Sequence, residues 1–312
     1  MTLAQAPLLT NGASHSAQSF RMMIRDLCRG SEGITEGDDL QVAPLTVPAG
    51  AVQIGDGSGV IRGRAAPWQG HYTAYNIGSS QVPIAPTGAA PRSDLVCLRV
   101  QDPEYEGNRN PATDPVVFFD VIPGVPGGTR SVPPGYSAIA LARVDLPANT
   151  GTVTAAMIND LRRIANPRRQ RYLNTAFPDH DSWQNPTDTN WHNWPNEARW
   201  NLAVPPWARN VKIVTTIAGF RMARANVIGS MQHAFGATNP IEGNDTDIDD
   251  DQGTGGRRVT VVIADDFGIR PAMRGTTQPL YLQTMLRRTY SGDVGVDGST
   301  SIVCDVEFNE DY

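Results

Sequence analysis

The sequence predicts a mainly β protein: two β-sandwich or jelly-roll-like domains joined by a short helix and a tryptophan-rich connector. Three observations carry that expectation. The 30 Gly and 24 Pro of the 312 residues cut the chain into short segments, and each strand of an all-β fold ends at such a turn residue. The segments between them are rich in Val, Ile, Leu and Thr, which suits a pleated sheet rather than disorder. Near mid-chain, Asn166-Pro167 interrupts the pattern, because the residue before a proline is pushed out of the helical region. The length suits about two domains. The boundaries read from these signals are an N-terminal arm and short helix over 1–30, a β-rich assembly domain over 31–168 that ends in a short helix, a linker over 169–206, and a C-terminal sandwich over 207–312.

Each element has its own signal. Ser16 opens a helix that Gly30 closes, an N-cap and a C-terminal glycine in their usual places. Phe20, Met23, Ile24 and Leu27 form one apolar stripe along it. Strands are expected in LQVAPLTVPAGAVQI from 40, HYTAYNIG from 71, SDLVCLRVQD from 93, PVVFFDVIPG from 115 and SAIALARVDL from 137. The SDLVCLRV run is apolar at both parities, as in a central strand buried on two faces. Residues 105–114 read as a surface loop. Over 154–165, Met157, Ile158, Leu161 and Ile164 recur at helical spacing, with Arg162 and Arg163 in the last turn, where cations complement the helix dipole. The back half supplies strands in VKIVTTIAGF from 211, ANVIGSMQHAF from 225, RRVTVVIADDF from 257, PLYLQTMLRRTY from 279 and TSIVCDVEF from 300. Five strands of this length linked by glycine-rich loops make a sandwich or jelly roll.

The totals argue against several function classes. A net charge of −6 opposes a phosphate-tracking surface, so nucleic acid is not expected as a partner. Lys212 is the only lysine, and every other basic residue is arginine; guanidinium forks suit fixed carboxylate pairs and interfaces, although coding bias in a GC-rich genome gives the same pattern. Cys28, Cys97 and Cys304 lie too far apart for a zinc set or a disulfide framework and read as buried thiols. No apolar run is long enough for a membrane span or a signal peptide, so synthesis in a cytoplasm is expected. The five histidines, His15, His71, His180, His192 and His233, show no metalloprotease spacing, and the chain has no nucleophile elbow. An enzyme is not expected, and no catalytic residues are assigned.

Three clusters remain as candidate sites. Asp245, Asp247 and Asp249 alternate in NDTDIDDD, a spacing that lets three carboxylates converge on calcium. The glycine at the sixth place and glutamate at the twelfth of an EF-hand loop are missing, so a solvated loop is the competing reading. Apart from this calcium no cofactor is expected. Trp191, His192 and Trp194 lie in a stretch that holds five of the six tryptophans. Such rings stack on sugars, or equally seal the end of a sandwich. Arg162, Arg163, Arg168 and Arg169 make a basic cluster at the junction, fitted to a carboxylate-rich subunit interface or to a solvated helix end.

The order of segments resembles the minor tail and baseplate-type proteins of tailed bacteriophages infecting actinobacteria. In that group a strand of the type R-x-D-L-V-x-x-R-V is followed, after a loop, by a strand ending in L-A-x-V and a short T-x-x-x-I-x-D-L-R helix. This chain has RSDLVCLRV at 92–100 and IALARVDLPANTGTVTAAMINDLR at 139–162, with ANPRR directly after. The back half is similar through WARNVKIVTTIAG at 207–219, IRPAMRGTTQPLYLQTMLRRTYSG at 269–292 and TSIVCDVEFNE at 300–310. The resemblance implies a virion component at a siphophage tail tip, a homotrimer associated with other tail-tip proteins. Its front domain would dock to the tail, and its back domain would face the host wall, where a lectin-like sandwich could recognise glycan.

Overall fold

The computed structural model describes residues 11–185, 188–251 and 253–310. It is mainly β and divides into two compact units, Met1–Asn166 and Pro167–Tyr312.

The first unit opens with helix α1 (Ala17–Leu27), whose N-cap Ser16 accepts the Ser19 N–H at 3.2 Å. Strands β1 (Gly33–Ile34), β2 (Val42–Ala49), β3 (Ala51–Ile54), β4 (Gly57–Arg62) and β5 (His71–Asn76) follow. Then come β6 (Ser80–Pro83), β7 (Arg92–Val100), β8 (Val117–Val125), β9 (Ala138–Leu146) and β10 (Ile158–Asp160). They form three antiparallel sheets, ordered β1-β4-β5, β2-β3-β6 and β10-β9-β7-β8. The apolar run predicted as a central strand is β7, paired with β9 on one side and β8 on the other, with Leu95, Val96 and Cys97 fully buried. Burying such side chains is worth about 1.5–3 kcal/mol each, and one core joins Val96, Leu98 and Val100 of this strand to Ile34, Leu40, Ile54, Ile61 and Leu141.

One expectation for this unit is corrected. The helix expected over 154–165 is a single 3-10 turn, Ala155–Met157, followed by β10. Ile158, Asn159 and Asp160 pair with Val144, Arg143 and Ala142 on the free edge of β9, and a ladder partner at hand outweighs the unfavourable nucleation of a short helix. Along α1 the apolar stripe is only partly covered: Met23 and Ile24 are half-buried, Phe20 is 45% and Leu27 72% exposed, whereas Arg21 is 7% exposed. Arg21 donates to the Gln69 carbonyl (2.9 Å), Asp102 (3.2 Å), Glu104 (2.9 Å) and the Tyr105 hydroxyl (2.8 Å), so a satisfied guanidinium anchors the helix.

The second unit contains β11 (Arg169–Ala176), β12 (Ser182–Gln184), β13 (His192–Asn193), β14 (Arg199–Ala203), β15 (Asn210–Ala223) and β16 (Val227–Phe235). It continues with β17 (Ile241–Glu242), β18 (Thr246–Asp250), β19 (Arg257–Gly268), β20 (Thr277–Leu286), β21 (Asp293–Val296) and β22 (Ser301–Asn309). One sheet runs β11-β22-β15-β21-β12, with β19 on the other edge of β15; the second runs β13-β20-β16-β17, with β14 on β20 and β18 on β16. Between them lie Phe220, Met231, Leu282 and Ile302 at one end and Phe235, Leu280, Val306 and Phe308 at the other. The linker expected over 169–206 is part of this sandwich. All eight residues of β11 pair with β22, and β12, β13 and β14 pair with β21 and β20. Its polar composition reflects the one-sided burial of edge strands.

Candidate functional site

The predicted clusters separate on folding. Asp245 lies just before β18, and Asp247 and Asp249 lie on it, paired to Ser230 and Ile228 of β16. All three project on the exposed side while Ile248 is buried beneath. Along an extended strand alternate residues stand about 7 Å apart, so the carboxylates diverge, and Asp247 instead accepts from the Ser230 hydroxyl at 2.8 Å. Among the described residues no group of three His, Cys, Asp or Glu could hold a metal ion. The calcium expectation at Asp245, Asp247 and Asp249 is therefore withdrawn.

Trp194 is a core residue, 4% exposed, edge-on to Phe220 with centroids 6.0 Å apart, its indole N–H donating to Ser182 at 3.1 Å. It presents no face to a sugar, which removes it from the glycan set. Trp191 and His192 are half-buried, and the His192 imidazole is held 2.7 Å from Asp188. The tryptophans serve packing in other ways too: Trp183 lies 4.4 Å under the Arg221 guanidinium, and Trp207 5.4 Å under that of Arg168.

The arginines divide by role. Arg162 is buried, forked onto Asp160 and donating to the Asp39 carbonyl at 2.7 Å and that of Gly37 at 3.3 Å, which excludes it from an interface. In the second unit Arg168 pairs with Glu310 (Nε to Oε2, 2.9 Å). Burial alone would raise the Glu310 carboxyl, but the Arg168 bonds outweigh it and hold the group below its usual range. Arg169 is exposed. Arg163 is exposed as well, and its surroundings are the best candidate site of the first unit.

A cleft of about 350 Å³ lies where β9 loses its partner. The β10 ladder ends at Asp160–Ala142, and the Leu161 N–H adds a bond to the Leu141 carbonyl at 3.0 Å. Beyond this, β9 has no strand partner on this side at Ala138, Ile139 and Ala140, which line the cleft with Leu161 and Val132; Ala138 and Ile139 are themselves buried. Three guanidiniums surround it: Arg64, Arg130 and Arg163. Arg64 is fixed by the Ala138 carbonyl (3.0 Å), the Tyr136 carbonyl (3.3 Å) and Glu32. Arg130 and Arg163 are exposed, and their guanidiniums have no ion-pair partner among the described residues. Gly33 sets Arg163 in place. The Ile34 N–H donates to the Arg163 carbonyl at 2.8 Å, and a Cβ on Gly33, at φ +143°, would lie 1.9 Å from that oxygen. Sequence reading found Arg163 but missed Arg64 and Arg130, which loop closure brings in from 33 residues away or more.

A larger cleft of about 470 Å³ at Arg92 and Asp145 has its charges already committed. Arg92 is forked onto Asp94. Asp145 is held at about 2, chiefly by Arg143 and with help from Ser93 and Asn159.

The groups most suggestive of catalysis are sealed. Thr215 Oγ1 lies 2.8 Å from His233 Nε2, and His233 Nδ1 lies 2.6 Å from Asp265 Oδ2, in the order of a nucleophile, base and orienting acid. Thr215 and His233 have no exposed surface and Asp265 only 7%. Burial would raise the Asp265 carboxyl, but His233 and the Asn244 N–H lower it further, so it stays below its usual range. All three cysteines are buried, and burial pushes the Cys97 and Cys304 thiols up to about 12, far from a reactive thiolate.

No protein-family model matches the chain, and no curated protein does. Among solved structures it is similar to the VP2 protein of infectious bursal disease virus in T=1 particles (12% identity, TM-score 0.27), over 93% of this chain and 80% of that one. The Gt strain of the same virus gives 11% identity and TM-score 0.29 over 92% and 82%. A Cry1Da tryptic core variant of Bacillus thuringiensis gives 11% identity and TM-score 0.18 over 97% of this chain and 56% of that one. At such scores the likeness carries no functional weight, and the assignment as a mainly β protein with sandwich-like units rests on the sheets themselves.

Proposed function

We propose that this chain is a non-enzymatic structural component of a phage virion, at the tail tip or baseplate. There the first unit docks on a neighbouring tail protein by accepting an acidic extended segment. The carrying observation is the cleft along the unpartnered end of β9, beneath two guanidiniums with no ion-pair partner among the described residues. A strand edge supplies main-chain hydrogen bonds to an added strand, and three arginines against one glutamate select carboxylates. The strands that build this edge, β7 and β9, are the segments that resemble tail proteins. The exposed Phe20 and Leu27 of α1 offer a second assembly surface. Association with further copies, three by the resemblance, belongs to the same reading. The buried state of the Thr215–His233–Asp265 set and of the cysteines supports a role without catalysis.

Gold-labelled antibody against the chain, applied to purified virions of the phage that carries its gene, should mark the tail tip; unlabelled particles would overturn the reading. In phage complemented with Arg130→Glu plus Arg163→Glu, both exposed and tolerant of change, incorporation should fall at least about tenfold, because two like-charge contacts replace two attractive ones. Wild-type incorporation would remove the cleft as the docking site.

A further inference from the structure

The sheet made by β11, β22, β15 and β19 turns Ile213, Ile217, Val306 and Phe308 into the core. Its opposite face is open and apolar at several points: Leu173 is 66%, Val262 51% and Val214 40% exposed. The ladder places the outward residues in rows across the four strands. One row is Arg171, Glu307, Lys212, Asp266, alternating in sign. The next is Leu173, Asp305, Val214, Ala264, in which Asp305 is neutralised by Arg171 (Nε to Oδ1, 2.6 Å). The third is Thr175, Val303, Thr216, Val262, all β-branched and short.

We propose that this face binds a second copy of the chain through a two-fold axis lying along the strands between β22 and β15. Such a rotation exchanges β11 with β19 and β22 with β15 across the interface. Arg171 then faces Asp266 of the second copy, and Glu307 faces Lys212 of the second copy, twice each. No other rotation is needed to bring every charge of the row onto its opposite. The β-branched row meets itself as a flat surface, in the aligned sheet-on-sheet packing of two sandwiches. The contact is isologous and closes on two copies. It goes beyond the tail-tip reading and does not rest on it, since it concerns the purified chain alone.

Sedimentation equilibrium of the full chain tests the inference. The wild-type mass should rise toward twice the monomer by about 0.3 mM, a concentration at which even small specific interfaces assemble. Val214→Arg with Val262→Arg should weaken association at least about tenfold. Lys212→Glu should do the same, by setting two carboxylates against each other at two places. Adding Glu307→Lys to Lys212→Glu should restore association to within about threefold of wild type, a recovery that general damage to the fold would not show. A chain monomeric throughout this range, or one whose association none of the variants changes, overturns the proposal. Neither result bears on the antibody label at the tail tip.

Discussion

Asp297 shows how one side chain can gather a loop. It accepts from Arg258 Nη1 at 3.0 Å, Arg221 Nη1 at 2.8 Å and the Ser299 N–H at 2.9 Å, while its own N–H donates to Thr300 at 3.0 Å. Arg258, ahead of its other partners, holds the carboxyl at about 2, below the ordinary value of about 3.9. A depressed folded value means that the stabilisation is complete above about pH 5 and is lost as pH falls toward 2. Asp297→Asn should therefore lower stability near pH 6 by about 1 kcal/mol, the partly solvated pairs being weaker than a sealed one. In urea titrations the gap from wild type should narrow steadily as pH approaches 2; a gap independent of pH would refute this assignment. The partners come from β15, β19 and the turn before β22, so nothing local in the sequence marks Asp297. The buried thiols of Cys97 and Cys304 were legible because isolated cysteines in apolar strands have few other uses. The aspartates 245, 247 and 249 misled because the alternation that suits a cation loop also suits one face of a strand.

At the scale of elements, alternation and turn residues predicted most strands of both units, and β7 in particular, because a sheet buried on two faces leaves a continuous apolar run. Pairing partners decided the rest. Residues 158–160 carry a helical spacing yet complete a ladder, and the polar 169–176 segment is an edge strand whose partner lies more than a hundred residues away. The junction of β1 with residues 163–165 is of the same long-range kind: the Ala165 N–H donates to the Ile34 carbonyl at 2.8 Å, opposite the Ile34–Arg163 bond. Gly33 permits it. Gly33→Ala adds a side chain at positive φ directly against backbone, and should cost at least about 2 kcal/mol. The measurement is thermal unfolding of the variant; an unchanged midpoint would show that the two segments separate freely. Gly219, at φ +80°, has a comparable role in the second unit, where it forms the bulge between Ala218 and Phe220 in the ladder of β15 with β19.

For the whole molecule, the two units have separate cores: one cluster in the first, with Ile34 and Leu141, and two in the second, one around Phe220 and one around Phe308. Each buries enough apolar surface to fold as a domain. Calorimetry should accordingly resolve two transitions, with Gly33→Ala moving one and Asp297→Asn the other; a single transition shifted equally by both would show one cooperative block. The open rim of β9 has a further consequence. A strand end without a ladder partner can template cross-β stacking, the first step toward aggregates. Arg64, Arg130 and Arg163 stand guard over that rim: two molecules meeting there bring cation against cation. Neutralising the exposed Arg130 and Arg163 should leave a chain that folds but precipitates on standing, so the residues that would welcome an acidic strand also turn identical ones away.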